Sequence, residues 1–275
     1  MISLQGLTSL TGLALVDATR DRQIQTIQDS AQGKREISSF RERIGDIETV
    51  DQLMEDHELY VFVMKAYDLE DQIFGKALMA KVLKGDSEDP AALVNRLTDQ
   101  RFRDLNRDMG FLPDDAGNNN TFKTEWQDQM VERFIDRQFI NSQADQNETI
   151  GTVLEFRKNA ASITEPFDFL KNADLSDFIR TTLGIPAETA GLDIDRQAAL
   201  IERKFDFDKL QDPDEIEKMI LKYVAIKDAQ AGANTSANIA VQLMSAAVNA
   251  SSSGQFVPIT IDIELISQVP RNPYS

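Results

Sequence analysis

The sequence contains no cysteine, which excludes disulfide bonds, thiolate catalysis and cysteine-ligated metal sites. It contains one histidine, His57, so a histidine-based metal site or a Ser-His-Asp arrangement would rest on that residue alone. Glycine and proline are scarce, with 13 and 8 among 275 residues, which favours helix. No apolar run approaches the length of a membrane-spanning helix, and no lysine or arginine precedes Arg20, so we expect neither membrane insertion nor a cleaved secretory signal.

Positive charge is also in short supply. The chain has 29 lysine and arginine residues against 46 aspartate and glutamate residues, a net charge of −17. Such a surface repels phosphate backbones and anionic lipids, so we expect neither nucleic acid nor a membrane surface as partner. The apolar fraction of 41% is ordinary, and a chain of this length can form one large domain or two fused halves.

One residue pattern occurs twice. Residues 24–69 align without a gap with residues 140–185, and a second, shorter match relates residues 91–99 to residues 198–206. The shared positions are mostly apolar and spaced as on a helix, which is typical of a duplicated fold and not of a duplicated active site.

Capping signals predict the helices of the first copy. Residues 4–45 form a helical pattern with a break near Gly33. Thr49 and Gln52 form a capping box, which predicts a short helix beginning there. A further helix is predicted from Glu70 to Leu83.

The next predicted helix begins at Asp89-Pro90, with aspartate as cap and proline at the first helical position. That helix, or a pair of helices broken near Thr98-Asp99, ends at Gly110, and the turn-forming residues 112–120 predict a boundary between two units.

A long helical pattern opens at Thr121 and extends toward Asn159, with a weak point around Gly151. Gly184 predicts a helix end in the left-handed conformation. The alignment places Asp68 at the matching position of the first copy, and aspartate tolerates that conformation better than most residues do.

The predicted fold is therefore all-α, with two duplicated multi-helix units, long bridging helices and a short C-terminal β segment. Residues 1–115 form the first unit and residues 116–230 the second, packed as one domain. Asp212-Pro213 begins a last helix, whose first turns resemble those of the helix near Met130, as a truncated third copy would. Residues 231–275 hold the helix end, a Ser/Gly joint and alternating residues 259–265 that predict a strand.

No group of residues matches a known catalytic or metal-binding pattern. His57 lies between two acidic residues at a predicted helix start and is interpreted as a surface residue. The series beginning at Asp206-Phe207-Asp208 lacks the fifth-position oxygen ligand and sixth-position glycine of a calcium loop. We therefore assign no catalytic, cofactor-binding or metal residues.

Two observations leave alternatives open. Phe40-Arg41 and Phe156-Arg157 form a repeated aromatic-basic pair, interpreted either as a symmetric binding pair or, as we favour, as buried phenylalanines with arginines in surface ion pairs. Trp126 is either a core anchor or a contact on an exposed helix.

Three stretches, Ile47–Leu59, Met64–Asp71 and Lys76–Leu83, resemble a bacterial family of unknown function, DUF1217. The resemblance is best over residues 37–111 and weaker to about residue 230; the family usually has glycine where Asp68 stands. The family is common in alphaproteobacteria and often encoded among flagellar genes. The resemblance implies an α-helical protein with a flagellar connection, and it supplies no catalytic residues.

Three functions compete on these grounds. The first is a non-enzymatic structural or protein-interaction protein of flagellar assembly or function, located in the cytoplasm. The second is an axial or hook-associated component, exported by the flagellar apparatus without a cleaved signal peptide. The third, which we favour least, is a small-molecule binder or an enzyme.

Overall fold

The computed structural model describes residues 2–97 and 99–252, and of residues 233–252 it describes the backbone only. Within these residues the chain forms thirteen α-helices and no strand, so the predicted all-α class is confirmed. The predicted strand at residues 259–265 lies outside the described residues. The helices are α1 Ser9–Asp29, α2 Ala31–Arg43, α3 Val50–Glu55, α4 His57–Ala66, α5 Lys76–Leu83, α6 Leu93–Arg96, α7 Gln100–Met109, α8 Thr124–Ala144, α9 Glu148–Asn159, α10 Pro166–Leu170, α11 Ala173–Leu183, α12 Ile194–Glu202 and α13 Pro213–Ser252.

Short 3-10 helices connect several of these elements. They span Ile44–Asp46, Glu70–Gln72, Pro113–Asp115, Ala160–Ser162, Ala187–Gly191 and Phe207–Gln211. In the two aligned segments, the helices α2, α3 and α4 occur in the same order as α9, α10 and α11, and each pair begins at aligned positions to within one residue. The 3-10 helices Ile44–Asp46 and Ala160–Ser162 also stand at aligned positions.

A stack of three aromatic rings forms the centre of the first hydrophobic cluster. Phe62 lies between Phe40 and Phe134, with ring centroids 4.3 and 4.2 Å apart. All three side chains are buried, and each stacked pair adds about 0.5–1.5 kcal/mol to the effect of burial. Trp126 is also buried here and donates from Nε1 to the Asp108 carbonyl at 2.7 Å, so it is a core anchor.

The second cluster contains a similar stack. Phe178 lies between Phe156, at 3.9 Å, and Tyr223 of α13, at 4.9 Å. The Tyr223 hydroxyl donates to Asp177 at 2.7 Å, which satisfies the polar end of a buried ring.

The arginines of the repeated aromatic-basic pairs lie outside these stacks. Arg41 forms an ion pair with Asp128 at 2.6 Å. Arg157 pairs with Asp17 at 2.6 Å and with Glu217 at 3.1 Å. The favoured interpretation, buried phenylalanine and ion-paired arginine, is confirmed.

Backbone conformations at the ends of α4 and α11 also agree with the sequence. Gly184 has φ = 61° and Asp68 has φ = 59°, so both occupy the left-handed region. The Thr49–Gln52 capping box is present at the start of α3. Gly110, with φ = 69°, ends α7 as predicted.

The helix start predicted at Asp89-Pro90 is wrong. The Asp89 carboxylate accepts from the amide of Ala91, two residues on, and so closes a turn in place of a cap. The Asn95 side chain binds the Asp89 carbonyl at 2.8 Å, and helix α6 begins only at Leu93.

Other predicted boundaries shift for local reasons. The break expected near Gly33 occurs at Ser30, whose hydroxyl accepts from the Gly33 amide and caps α2. The helix predicted from Glu70 begins at Lys76, after a 3-10 turn.

Gly151 lies inside helix α9 and does not interrupt it. The long helical pattern breaks instead after α8, where Asn147 caps α9 by accepting from the Ile150 amide. A Cβ at Gly151 would lie 2.4 Å from the Cβ of Ala144, so glycine here allows α8 and α9 to approach closely.

Residues up to Asp228 form one compact unit, and Ala229 begins a second, so helix α13 includes residues of both. Among the described residues, no helix combines the length and apolar character that crossing a bilayer requires. From residue 229 to residue 252, α13 contains no charged residue.

Asp228 caps the first helix of the chain. Its carboxylate accepts from the amides of Ser9 at 2.9 Å and Leu10 at 3.2 Å, two of the unpaired donors at the start of α1. Replacing Asp228 by alanine is expected to lower the free energy of unfolding by about 1 kcal/mol, measured by urea denaturation. Asp21→Ala, on the exposed face of α1, is the control and should change it by less than about 0.5 kcal/mol. Equal effects of the two substitutions would contradict the capping role.

Candidate functional site

A wide, open cleft of about 1600 Å³ lies within the compact unit. One side of the cleft is lined by helices α7 and α8 and by the end of α4. The rest of the lining comes from α9, α10, the start of α11 and Ile194. Most of the lining residues are charged, although Phe167, Leu170 and Ile194 add an apolar section. The cleft thus presents both a charged surface and a smaller apolar surface to a ligand.

Helix α8 contributes two arginines one turn apart, Arg133 and Arg137, so both project toward the same face. The Arg133 guanidinium lies 4.4 Å from the centroid of the Tyr67 ring and 3.1 Å from the Asp108 carboxylate. Burial and the Asp108 contact raise the pKa of Tyr67 above its ordinary value, although Arg133 opposes them, so this hydroxyl stays protonated.

Arg137 and Glu155 form a buried ion pair between α8 and α9. The shortest distance, from Nη1 to Oε2, is 2.8 Å, and both side chains are at least nine-tenths buried. The contact is not aligned as a hydrogen bond, because Glu155 Oε2 and Arg137 Nε both lack a hydrogen-bond partner. Glu155 Oε1 accepts instead from the Asn159 amide at 2.9 Å. Burial alone would raise the pKa of Glu155, but Arg137 outweighs it and holds the pKa below the usual range.

Asp68, which follows the end of α4, contacts arginines from two other helices, α7 and α8. Its carboxylate lies 3.2 Å from Arg101 of α7 and 3.6 Å from Arg137 of α8. Arg101 also donates to the Asp68 carbonyl, and the Asn141 amide lies 3.4 Å from the carboxylate. Asp68 thus combines a glycine-like backbone conformation with contacts that glycine cannot make.

Lys158 differs from the other cations of the cleft, because the arginines and Lys171 contact carboxylates and Lys123 donates to Asn120 Oδ1 at 3.2 Å. Among the described residues, Lys158 makes neither kind of contact. It is exposed to solvent, and among the described residues no carboxylate oxygen lies within 4.0 Å of its ammonium group. The cleft walls nevertheless crowd the group, and this desolvation, with Arg137 and Arg133 nearby, lowers the pKa of Lys158 to about 8, while Glu155 and Asp136 oppose the shift. Lys171, by contrast, contacts Asp168 at 2.6 Å.

Asp174, at the start of α11, faces the same region. Desolvation and the neighbouring Glu155 raise the pKa of Asp174, although the Thr152 hydroxyl donates to it at 3.3 Å. No group of three potential metal ligands occurs among the residues that the structure describes. The arrangement can bind charged and apolar groups, and its polar side chains pair mainly with one another.

The residues singled out from sequence lie mostly outside this cleft. His57 is the exposed first residue of α4 and lines a separate cavity of about 240 Å³. Asp206 caps a 3-10 helix by accepting from the Asp208 amide. The sequence reasoning missed Arg137, Glu155 and Lys158; the only local signal was the one-turn spacing of two arginines on α8.

Substitutions at Asp68 should separate its backbone role from its charge. Asp68→Ala loses the carboxylate and retains the left-handed strain, so we expect the free energy of unfolding to fall by about 1–2 kcal/mol. Asp68→Gly also loses the carboxylate but relieves the strain, and we expect a loss below about 1 kcal/mol. Urea denaturation measures both variants. A glycine variant as unstable as the alanine variant would mean that the charge contacts alone determine the effect.

Comparison with known proteins gives two similarities. A family model described as a protein of unknown function, DUF1217, matches residues 66–216, more than half of the chain. The crystal structure of a protein from Agrobacterium tumefaciens is similar over 84% of this chain and 97% of that chain, with 26% sequence identity and a TM-score of 0.72. No curated protein gives a significant match.

Proposed function

The chain belongs to the DUF1217 family, which is described as a family of unknown function, and we propose that it is a non-enzymatic protein-interaction protein linked to flagellar assembly or function. The observation that carries the proposal is the cleft. Its volume of about 1600 Å³ exceeds the roughly 300–1,000 Å³ of typical small-molecule pockets. An open groove with charged and apolar sections suits a segment of another polypeptide, whose side chains offer both kinds of contact.

The charged groups of the cleft support binding over catalysis. Its arginines contact carboxylates, and its tyrosine, Tyr67, is held in the protonated form. A catalytic acid or base needs a titrating group positioned against a reacting atom, and such groups here are mainly engaged in ion pairs. The flagellar link is supported by the gene neighbourhood that the family resemblance implies.

We also propose that the two helical units are an internal duplication packed as one domain. The aligned starts of α2, α3 and α4 with α9, α10 and α11 support this, as do the two aromatic stacks. In this arrangement helix α8 and the start of helix α13 occupy equivalent positions. Helix α8 contributes Phe134 as the third ring of the first stack, and α13 contributes Tyr223 as the third ring of the second.

A substitution at the cleft edge tests the interaction. Ile194 is 49% exposed and lines the cleft, so Ile194→Asp should place a charge on the contact surface without unfolding the protein. Leu192, 39% exposed and outside the cleft lining, provides the matched control Leu192→Asp. We expect Ile194→Asp, and not Leu192→Asp, to abolish co-purification of a flagellar protein and to reduce swimming, with both melting temperatures unchanged. Normal co-purification and swimming of both variants would overturn the proposal.

The competing assignment is an exported axial or hook-associated component. The observation that favours it is the uncharged, Ala/Asn/Ser-rich segment 229–252, which continues helix α13. Fractionation of motile cells separates the two. Recovery in the cytosol would support a cytoplasmic partner protein, and enrichment in hook–basal bodies or in the medium would support the exported component.

A further inference from the structure

The ion pairs of the cleft leave two lysines without a carboxylate, Lys123 and Lys158. Among the described residues, the Lys123 ammonium group still donates to Asn120 Oδ1 at 3.2 Å, whereas Lys158 has no such partner. Four arginines and one lysine contact carboxylates there: Arg101 with Asp68 and Asp99, Arg107 with Asp104, Arg133 with Asp108, Arg137 with Glu155, and Lys171 with Asp168. Lys158 has no such contact among the described residues, although it lies on the last turn of α9 and lines the cleft. No described carboxylate therefore pairs directly with its ammonium group.

The neighbouring cations of Lys158 favour a small anionic group. Arg133 and Arg137 face it from α8, and the resulting repulsion between like charges would be relieved by one negative charge placed among them. Glu155 lies 2.8 Å from Arg137, but neither it nor any other described carboxylate comes within 4.0 Å of the Lys158 ammonium group, so the protein's own carboxylates do not fill this position. Solvent screening is reduced by the cleft walls, which strengthens such an attraction.

The site favours one negative charge over two. Glu155 on α9 and Asp136 on α8 already act on Lys158, and Asp174 at the start of α11 acts on Glu155. These three carboxylates weaken the attraction to any anion, and the cost of desolvating an anion rises more steeply with its charge than the attraction does, so a monoanion is favoured over a dianion.

We propose that Lys158, together with Arg133 and Arg137, binds a single carboxylate group in the cleft. The carboxylate belongs either to a free small carboxylic acid or to an acidic side chain of a polypeptide. The proposal rests on the charges of the cleft and does not require the flagellar function proposed above.

Binding should be coupled to protonation of Lys158. A bound carboxylate stabilises the ammonium form, so it raises the pKa of Lys158 from about 8 and takes up protons near that pH. Affinity should then fall as the pH rises above this value, because the neutral amine does not attract the anion. The pH dependence near this value therefore reports on Lys158.

Nuclear magnetic resonance of protein labelled with ¹³C at lysine Cε tests the proposal. The Lys158 signal, assigned by its loss in Lys158→Arg, is titrated with pH in sodium acetate and in sodium chloride of equal ionic strength. We expect acetate to raise the apparent pKa of Lys158 by about half a unit or more, and to leave the ion-paired Lys171 unchanged. The same pKa in both salts, or equal shifts at both lysines, would overturn the proposal.

Two further titrations, with a blocked tripeptide and with sulfate, identify the source and the charge of the ligand. A blocked tripeptide, acetyl-Gly-Glu-Gly-amide, that binds about tenfold more tightly than acetate would assign the site to an acidic side chain. Acetate binding at least as tightly as the tripeptide would assign it to a free acid. Sulfate shifting Lys158 more strongly than acetate would contradict the preference for a single charge.

Discussion

Replacing Phe156 by alanine is expected to lower the free energy of unfolding by about 3–5 kcal/mol, because a fully buried ring is lost and a cavity is left between close-packed neighbours. The ring stacks on Phe178 at 3.9 Å, so that aromatic contact is lost as well. A loss of this size is a large part of the 5–15 kcal/mol that stabilises a typical domain. Urea denaturation followed by circular dichroism measures it.

Phe40 provides the matched variant in the first cluster. It is equally buried and stacks on Phe62 at 4.3 Å, so Phe40→Ala should cost a similar amount. Phe74 is the control, since its ring is 98% exposed and Phe74→Ala should change the free energy of unfolding by less than about 0.5 kcal/mol.

The Phe40→Ala and Phe156→Ala variants also test whether the two helical repeat units, residues 1–115 and 116–230, unfold together. If residues up to Asp228 form one cooperative domain, both substitutions lower the midpoint of a single transition. Two transitions, with Phe40→Ala shifting one and Phe156→Ala the other, would show that the units unfold separately. A loss below about 1 kcal/mol for either buried ring would contradict its assignment to the core.

The parts of the fold that follow from local rules were predictable from sequence. The Thr49–Gln52 capping box depends on residues three apart. The left-handed conformation of Asp68 followed from its alignment with Gly184, and the buried positions of Phe40 and Phe156 followed from the general tendency of phenylalanine to be buried. Each of these needs only neighbouring residues or an internal comparison.

The cleft could not be predicted in the same way. Arg137 and Glu155 lie on different helices, and nothing in either helix alone indicates that they meet. The close crossing that brings α8 against α9 depends on Gly151, which looks like a helix-weakening residue until its distance to Ala144 is known. Whether Lys158 has an ion-pair partner depends on how the helices of the cleft pack, so no pattern in the sequence predicts that it lacks one.

Replacing Glu155 by alanine is expected to lower the free energy of unfolding by about 3–5 kcal/mol, because Arg137 would remain buried after losing its closest counter-charge, with only Asp68 left at 3.6 Å. Removing both charges should have a much smaller effect. The double variant Arg137→Met/Glu155→Leu keeps a similar volume, has no charge to desolvate, and should lie within about 1 kcal/mol of the wild type or exceed it. The misaligned contact favours this recovery, since the pair gains little from hydrogen bonding.

The pH dependence provides a second measure of the pair. The pKa of Glu155 is lower in the folded protein than in the unfolded chain, so the pair stabilises the fold at pH values above the unfolded pKa, about 4.3. That contribution is lost as the pH falls through the lower, folded pKa. Urea denaturation across this range should therefore show the wild type losing stability on acidification relative to the double variant. A double variant as unstable as Glu155→Ala at neutral pH would mean that the pair itself, with its polar neighbours, is required to hold α8 and α9 together.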